Sequence, residues 1–172
     1  AESWYQNMEN SNKIMVLSIL VDNTSGVLSR VSGLFSRRGY NIDSLTVGET
    51  ENPLISRMTV VVTGDEGILE QIKKQVSKLE DVKEIVELMP DSSVCRELIL
   101  IKVRATAMER TSLNTIANIF RANVVDVSAE HMMIELTGTI SKIDAFIKLL
   151  DGFEIDELVR TGITGLTRGF VR

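Results

Sequence analysis

Residues 14–28 read IMVLSILVDNTSGVL, and the order of elements in this stretch decides the fold. Ile14 to Val21 is a mostly apolar run rich in β-branched residues, which is typical of a buried central strand. The turn Asn23-Thr24-Ser25-Gly26 follows, with Thr24 or Ser25 as the predicted N-cap of a helix. The apolar residues after the turn are spaced as on one face of that helix. They are Val27, Leu28, Val31, Leu34 and Phe35.

The first half of the chain then completes a pattern of six elements. Arg37 and Arg38 lie in the last turn of the helix, and Gly39 follows it, as helix ends prefer. Strands are predicted for residues 41–47 and 56–63, and the short loop between them pairs them as an antiparallel hairpin. A second amphipathic helix and a strand over 82–89 end the unit. The order strand-helix-strand-strand-helix-strand is the ferredoxin-like plan.

The second half repeats this order after a break at Pro90-Asp91-Ser92-Ser93. Strands are predicted for residues 97–105, 124–129, 132–136 and 153–159, with a helical pattern after the first and the third. We therefore expect an α+β protein made of two ferredoxin-like βαββαβ units, at residues 14–90 and 96–172. Residues 1–13 are polar without a clean period, and we expect a flexible lead-in there.

Composition excludes several classes of protein. The 172 residues are 44% hydrophobic and 25% charged, as in ordinary globular chains. The net charge is −5 and no concentrated basic stretch occurs, which argues against nucleic-acid binding. The apolar runs are too short to span a bilayer, and the first residues do not resemble a secretory signal. One cysteine fits a reducing compartment, so we expect a cytoplasmic protein without a membrane partner.

The same counts restrict the chemistry. With His131 and Cys95 as the only His and Cys, a zinc site of the Cys/His type cannot be assembled within one chain. We interpret His131 as a strand-edge or turn histidine and Cys95 as a linker thiol. No pair of carboxylates stands out as an acid/base couple. We therefore expect no catalytic residue and no metal site.

The turn Asn23–Gly26 is the best candidate for ligand binding. A glycine lets backbone come close to a ligand, and the helix N-terminus presents free N–H groups to an anion. Asp22 and Asn23 add acceptors for an ammonium, so the segment could hold both ends of a free amino acid. Asn41 opens the second strand, which we expect to lie next to the first, and its amide could approach the turn. Without a family resemblance, the residues favour a plain N-cap and turn over a binding site.

Two further features concern association. The segment Arg160–Gly169 is rich in Gly and Thr and carries two arginines, which suits a docking tail as well as a frayed end. One face of the first sheet would be thinly covered, by side chains such as Thr46, Thr59 and Val61. Because each half is small, we expect a homodimer.

Three stretches of the chain resemble a known family. They are residues 14–31, residues 34–47 (LFSRRGYNIDSLTV) and the tail from Arg160 to Gly169, with shorter likenesses at Ser56-Arg57-Met58-Thr59 and Gly64-Asp65. Together they resemble the small regulatory subunit of acetolactate synthase (acetohydroxyacid synthase) over about residues 14–170.

The resemblance implies that the first unit is an ACT domain, an amino-acid-sensing module, at residues 14–90. It implies a non-catalytic chain that binds a large catalytic subunit, and the thiamine diphosphate, magnesium and flavin (FAD) belong to that partner. The small subunit would raise the partner's activity and impose feedback inhibition by a branched-chain amino acid, typically valine.

The resemblance also assigns site residues. In such subunits the effector lies where two ACT domains meet in a dimer. By position, Asn23, Gly26 and Asn41 match residues linked to effector binding, and Val27, Leu28 and Ile42 match those that line the side-chain pocket.

Two alternatives remain at this stage. An ACT-type amino-acid-binding regulator of a different biosynthetic enzyme would share the generic turn Asn23–Gly26 but would lack the segment Phe35–Val47 and the Arg168-Gly169 tail. A ferredoxin-like hydrolase of the acylphosphatase type would need an arginine and an asparagine that converge on a phosphate, and would be active without a large subunit.

Overall fold

A computed structural model describes residues 13–169 of the chain. Its first six elements follow the predicted order. They are β1 (Lys13–Asp22), α1 (Val27–Arg37), β2 (Ile42–Glu49), β3 (Ile55–Gly64), α2 (Glu66–Ser77) and β4 (Val82–Glu87).

The second set of elements repeats that order and adds a short strand. They are β5 (Ser93–Arg104), α3 (Ala107–Ile119), β6 (Asn123–Val127), β7 (His131–Gly138), α4 (Ile140–Leu149), β8 (Glu154–Arg160) and β9 (Thr164–Thr167).

The two sheets have the same topology. The strand order is β2-β3-β1-β4 in the first and β6-β7-β5-β8 in the second, and all of these pairs are antiparallel. This confirms the α+β class and the two ferredoxin-like βαββαβ units. Within the described residues, one compact unit contains 13–95 together with 163–169, and the other contains 96–162.

The core of the first unit lies between its sheet and its two helices. Alternate residues of β1 face it because side chains alternate along a strand, and Leu17 and Ile19 are fully buried there. Val31 and Phe35 from α1 meet them at helical spacing, as do Ile72 and Val76 from α2.

The second unit builds an equivalent core from different residues. Ile99 and Ile101 of β5 are fully buried, as are Leu113 of α3 and Phe146 of α4. The ring of Phe120 packs edge-on against Phe146, with 5.4 Å between the ring centroids. No helix of the described part of the chain is both long and apolar enough to cross a membrane.

Several boundaries differ from those predicted. β1 begins at Lys13, which was assigned to the lead-in; residues 1–12 lie outside the described part of the chain. β5 begins at Ser93 and not at Glu97, so Cys95 lies in a strand and not in a polar linker. The backbone hydrogen bonds of a strand extend past the apolar positions that the sequence pattern detects.

The C-terminal tail packs on the first unit, whereas we placed it in the second. β9 pairs with β5, and the amide of Arg168 donates to the carbonyl of Ser92. A Cβ added at Gly165 would lie 2.7 Å from both the Val94 carbonyl oxygen and the Cys95 sulfur, so the tail sits close against this strand. The described part of the tail is therefore an ordered segment of the first unit.

The face of the first sheet opposite its core is better covered than the sequence suggested. Thr46, Thr59 and Ser18 are paired abreast across three strands, and Thr59 and Val61 are 1% and 0% exposed within this single chain. The hydroxyl of Thr46 donates to the carbonyl of Ile163 in the tail, at 3.4 Å. Thin coverage of this face is therefore not an argument for a dimer.

Candidate functional site

The turn between β1 and α1 leaves the first helix without a side-chain cap. Gly26 is the N-cap residue, with φ 86° and ψ −12°, a left-handed conformation that glycine adopts without strain. The prediction of Thr24 or Ser25 as the cap is wrong, because neither side chain accepts a hydrogen bond from the first turn. The free N–H groups of this turn are left for solvent or for an anion.

The other three helices are capped by their own sequence. The side chain of Asp65 accepts a hydrogen bond from the amide of Ile68 in α2. The side chains of Thr106 and Thr139 likewise accept from an amide in the first turn of α3 and of α4. The first turns of α2 and α3 also carry a glutamate, whereas that of α1 contains no acidic residue. The positive end of the α1 dipole is therefore not balanced within its own helix.

Asn23 is held in a fixed orientation beside this helix end. Its backbone N–H donates to the Leu54 carbonyl at 2.8 Å, and its Nδ2 donates to the Pro53 carbonyl at 2.9 Å. A carbonyl only accepts, so the Oδ1 of Asn23 faces away from it and can accept a hydrogen bond from an ammonium. The exposed carboxylate of Glu49 lies 3.4 Å from the same Nδ2 and adds negative charge.

Arg30 lies over Gly26, one helical turn further along α1. Its Nε donates to Oδ2 of Asp81 at 2.6 Å, and its Nη2 donates to Oδ1 at 3.1 Å. A Cβ built on Gly26 would lie 2.9 Å from Nη1 of Arg30. The hydrogen bond from Arg30 lowers the pKa of Asp81 below its usual value, and the same bond raises the pKa of Arg30.

The three predicted pocket residues lie in different surroundings. Leu28 is 46% exposed and can contact a ligand at the turn. Val27 is 3% exposed and belongs to the core, so its side chain does not line an open pocket. Ile42 is partly buried and packs against the same core from the start of β2.

Asn41 is far from the turn in the same chain, which corrects our expectation. The neighbour of β1 on this side is β3, and β2 lies beyond it. Ile42 pairs with Val62, which pairs with Met15, whereas Asn23 follows Asp22 at the other end of β1. The seven residue-to-residue steps from Met15 to Asp22 span roughly 23 Å.

Sequence reasoning missed Arg30, Glu49 and Asp81. Arg30 could have been found from helical spacing, because residues four apart on a helix are neighbours and Arg30 follows Gly26 by four. Glu49 could have been found from the hairpin, whose turn returns to the end of β1. Asp81 carries no local signal, since only the packing of the α2–β4 turn brings it to α1.

His131 occupies the position predicted for it. It is the first residue of β7, and its Nε2 lies 2.5 Å from Oδ2 of Asp156. The residues around it form an open groove of about 510 Å³ in the second unit, whose charges pair with one another, as Lys102 does with Glu157. In the described part of the chain, no three His, Cys, Asp or Glu side chains are grouped as metal ligands.

Two family models together match most of the chain. The model described as "AHAS small subunit-like ACT domain" matches residues 17–84, and the model described as "Small subunit of acetolactate synthase" matches residues 96–169. The chain belongs to the acetolactate synthase small-subunit family. The boundary between the two matches falls between the two βαββαβ units described above.

Relatives from distant organisms agree with this assignment. The chain is 50% identical to the acetolactate synthase small subunit of Mycolicibacterium smegmatis, over 94% of this chain and 95% of that protein. It is 50% identical to a probable acetolactate synthase small subunit of Methanothermobacter thermautotrophicus, over 90% and 92% of the two chains. It is 46% identical to the isozyme 3 small subunit of Escherichia coli, over 90% and 95%.

The crystal structure of the acetolactate synthase small subunit from Thermotoga maritima has the same fold. The two chains are 42% identical and superpose with a TM-score of 0.85, over 92% of this chain and 99% of that one. The resemblance stated from residues 14–47 and from the tail is thus confirmed, and so is the ACT assignment of the first unit.

Proposed function

We propose that this chain is the non-catalytic regulatory subunit of an acetolactate synthase. It binds a large catalytic subunit, raises its activity and confers feedback inhibition by valine or a related branched-chain amino acid. Thiamine diphosphate, magnesium and FAD belong to the catalytic partner, and this chain contributes none of their ligands. A cytoplasmic location fits this role in branched-chain amino-acid biosynthesis.

The site at the β1–α1 turn offers one group for each part of a valine zwitterion. The uncapped N–H groups after Gly26 suit the carboxylate. The Oδ1 of Asn23 and the carboxylate of Glu49 suit the ammonium. Leu28 supplies exposed apolar surface for the side chain, where each buried CH₂ contributes about 0.8 kcal/mol.

A second copy of the chain would complete this site. β2 is an edge strand of the first sheet, so its outer side is open to another strand. If the β2 strands of two copies pair antiparallel, the start of one lies beside the end of the other. Asn41 of the partner subunit then approaches Asn23 and Glu49, which the single chain cannot achieve. We therefore propose a homodimer through the ACT domains with valine bound between them.

The uncapped N-terminus of α1, in the ACT domain of a chain from this family, is the observation that carries the proposal. Titration calorimetry of the isolated chain with L-valine tests the site, and sedimentation tests the dimer. We expect saturable valine binding to a dimer. A chain that binds no branched-chain amino acid, at any protein concentration at which it is folded, would refute the effector site.

Reconstitution tests the regulatory role separately. The purified chain alone should form no acetolactate from pyruvate, even with thiamine diphosphate, magnesium and FAD. With the large subunit from the same organism, we expect higher activity and valine inhibition. Valine binding without any effect on acetolactate synthesis would instead favour a regulator of a different enzyme.

Activation should depend on surfaces other than the valine site. The docked tail is one candidate, because β9 pairs with β5 and its residue Leu166 is 58% exposed. We expect removal of the tail after Gly162 to weaken activation of the catalytic subunit more than valine binding. Equal losses in calorimetry and in the activity assay would contradict this separation.

A further inference from the structure

We propose that Arg30 anchors the carboxylate of the effector and that Asp81 positions Arg30 for this role. The inference rests on the proposed function, since it concerns the same site at the β1–α1 turn. It adds a cationic side chain to a site that was otherwise formed by backbone amides, by Asn23, Glu49 and Leu28, and by the groups of a second copy.

The geometry of the guanidinium carries the argument. Arg30 uses Nε and Nη2 for Asp81, which leaves Nη1 without a hydrogen-bond partner among the described residues. The same Nη1 lies 2.9 Å from the position that a Cβ of Gly26 would occupy. A planar guanidinium bound along one edge keeps the direction of its remaining nitrogen fixed. That nitrogen therefore stays beside the N-cap residue and the free amides.

Asp81 is itself held in place. Its backbone carbonyl accepts from the amide of Asp22 at 2.9 Å, and its side chain is only 19% exposed, compared with 51% for Arg30. The more buried partner belongs to a turn that is tied to the end of β1. The pair thus fixes the position of an otherwise exposed arginine relative to the β1–α1 turn.

The charge distribution favours an anion between these groups. A cation in the first turn of a helix is placed unfavourably with respect to the helix dipole, and no acidic residue of that turn compensates it. Asp81 neutralises Arg30 from the side away from Nη1. A ligand carboxylate beside Gly26 would meet both Nη1 and the amides, in a charge-assisted arrangement.

The ligand class follows from this arrangement. The site should select α-amino acids with a free carboxylate and should discriminate against their amides. Valinamide keeps the ammonium and the isopropyl group of valine but replaces one carboxylate oxygen by NH2, which removes the negative charge and turns an acceptor into a donor. The ratio of valine affinity to valinamide affinity therefore measures the contribution of the carboxylate anchor.

The test uses calorimetry on the full chain with L-valine, and competition with valinamide. We expect Arg30→Gln to weaken valine binding by about tenfold or more, the size of a hydrogen bond to a charged group, and to reduce the valine/valinamide ratio by a similar factor. Arg30→Lys should restore part of the loss. Asp81→Asn keeps the charge of Arg30 but frees its side chain, and it should weaken valine binding by a smaller factor.

Arg37→Gln is the matched control, because it removes an exposed arginine from the other end of α1. It should bind valine like the parent. If Arg30→Gln also binds valine like the parent, or loses valine and valinamide by the same factor, the anchor role is overturned while the proposed function stands. If the parent binds no valine, the proposed function itself fails. Circular dichroism and urea unfolding show whether Arg30→Gln has folded. If it has not, the valine affinity of Asp81→Asn tests the anchor role instead.

Discussion

The two units of this chain share one topology and differ at the first helix of each. α1 begins at a left-handed glycine with no side-chain cap, whereas α3 begins with a complete capping box. In that box Thr106 accepts from the amide of Glu109, and the Glu109 side chain returns to the backbone of Thr106. In the second unit, the capping box supplies side-chain hydrogen bonds to the N-terminus of α3. In the first unit, no side chain caps the N-terminus of α1, and its free N–H groups remain available to a ligand or to solvent.

Under the proposed function, this difference would let a repeated fold bind a ligand in one unit and not in the other. The strand order and the position of the helices are the same in both units, so topology alone does not decide which unit senses a ligand. The decision lies in the few residues between the first strand and the first helix. An open helix end reduces the stability of the free protein and is useful where a ligand supplies the missing partner.

The largest expected effect comes from closing the open site with a charge. We expect Gly26→Asp to weaken valine binding by roughly 100-fold or more, because its carboxylate lies where the ligand carboxylate should bind. The Cβ would meet Arg30 Nη1 at 2.9 Å, so the new carboxylate would pair with this arginine. Activation of the catalytic subunit should be largely retained. Calorimetry, together with valine titrations of the reconstituted enzyme, measures both.

Gly26→Asn and Gly26→Ala separate charge from strain. All three variants place a side chain at φ 86°, which costs about 1–2 kcal/mol for a non-glycine residue and less for Asn or Asp. The neutral variants should bind valine more tightly than Gly26→Asp. If Gly26→Asp binds valine as well as the parent does, the site is wrongly assigned.

The sequence was sufficient for the order of the first twelve elements because periodicity and turn residues agree over residues 14–159. The apolar run of β1 and the helical spacing of Val31, Leu34 and Phe35 both indicate burial, and the structure shows these residues buried. Apart from the exact start of β4, the ends of the eight predicted strands were missed by one to four residues, and β9 was not predicted. A ladder of backbone hydrogen bonds does not require apolar side chains at its ends.

The candidate site was harder to predict because it depends on contacts between distant residues. Asn23 and Gly26 stand in the same turn, so their association could be read locally. The contact of Arg30 with Asp81 joins residues 51 apart, and the separation of Asn41 from Asn23 follows from strand order. The expectation for Asn41 was wrong for two reasons: β3 lies between β1 and β2, and β2 begins at the end of the sheet opposite the β1–α1 turn.

A smaller effect is expected from removing the N-cap of α3, which distinguishes the second unit. We expect Thr106→Ala to lower the free energy of unfolding by about 1 kcal/mol, the usual contribution of an N-cap, without changing valine affinity. Urea unfolding and calorimetry measure the two quantities. Glu109→Ala alone should lower the free energy of unfolding by less than Thr106→Ala does. Added to Thr106→Ala, it should lower the free energy of unfolding little further, because both side chains belong to the same capping box. A change in valine binding would mean that the second unit takes part in sensing.

A substitution can also give α1 the acidic residue that its first turn lacks. Ser29 lies three residues after the N-cap Gly26, at the position that Glu109 occupies in α3. We expect Ser29→Glu to raise the free energy of unfolding by about 0.3–1 kcal/mol through the helix dipole, and to weaken valine binding at the same time. Ser29→Gln is the neutral control and should affect binding less. Opposite signs for stability and affinity are the result that identifies an anion site.

The smallest expected effect is a change in the pH dependence of stability in the first unit. The pKa of Asp81 is lowered by its hydrogen bond from Arg30, so the folded state binds the proton of this carboxyl less readily than the unfolded state. The stabilisation is therefore complete above the unfolded pKa of about 4 and is lost as the pH falls through the lower folded value. We expect the difference in the free energy of unfolding between the parent and Asp81→Asn to be constant from about pH 6 to 8 and to shrink below about pH 4.

Arg30→Gln should remove the same pH dependence of the free energy of unfolding. The double variant should show no further change in that dependence, because the single ion pair between Arg30 and Asp81 causes it in both cases. Urea unfolding at several pH values supplies the measurement, and a constant difference at all pH values would mean that the Asp81 carboxylate does not contribute to stability through Arg30.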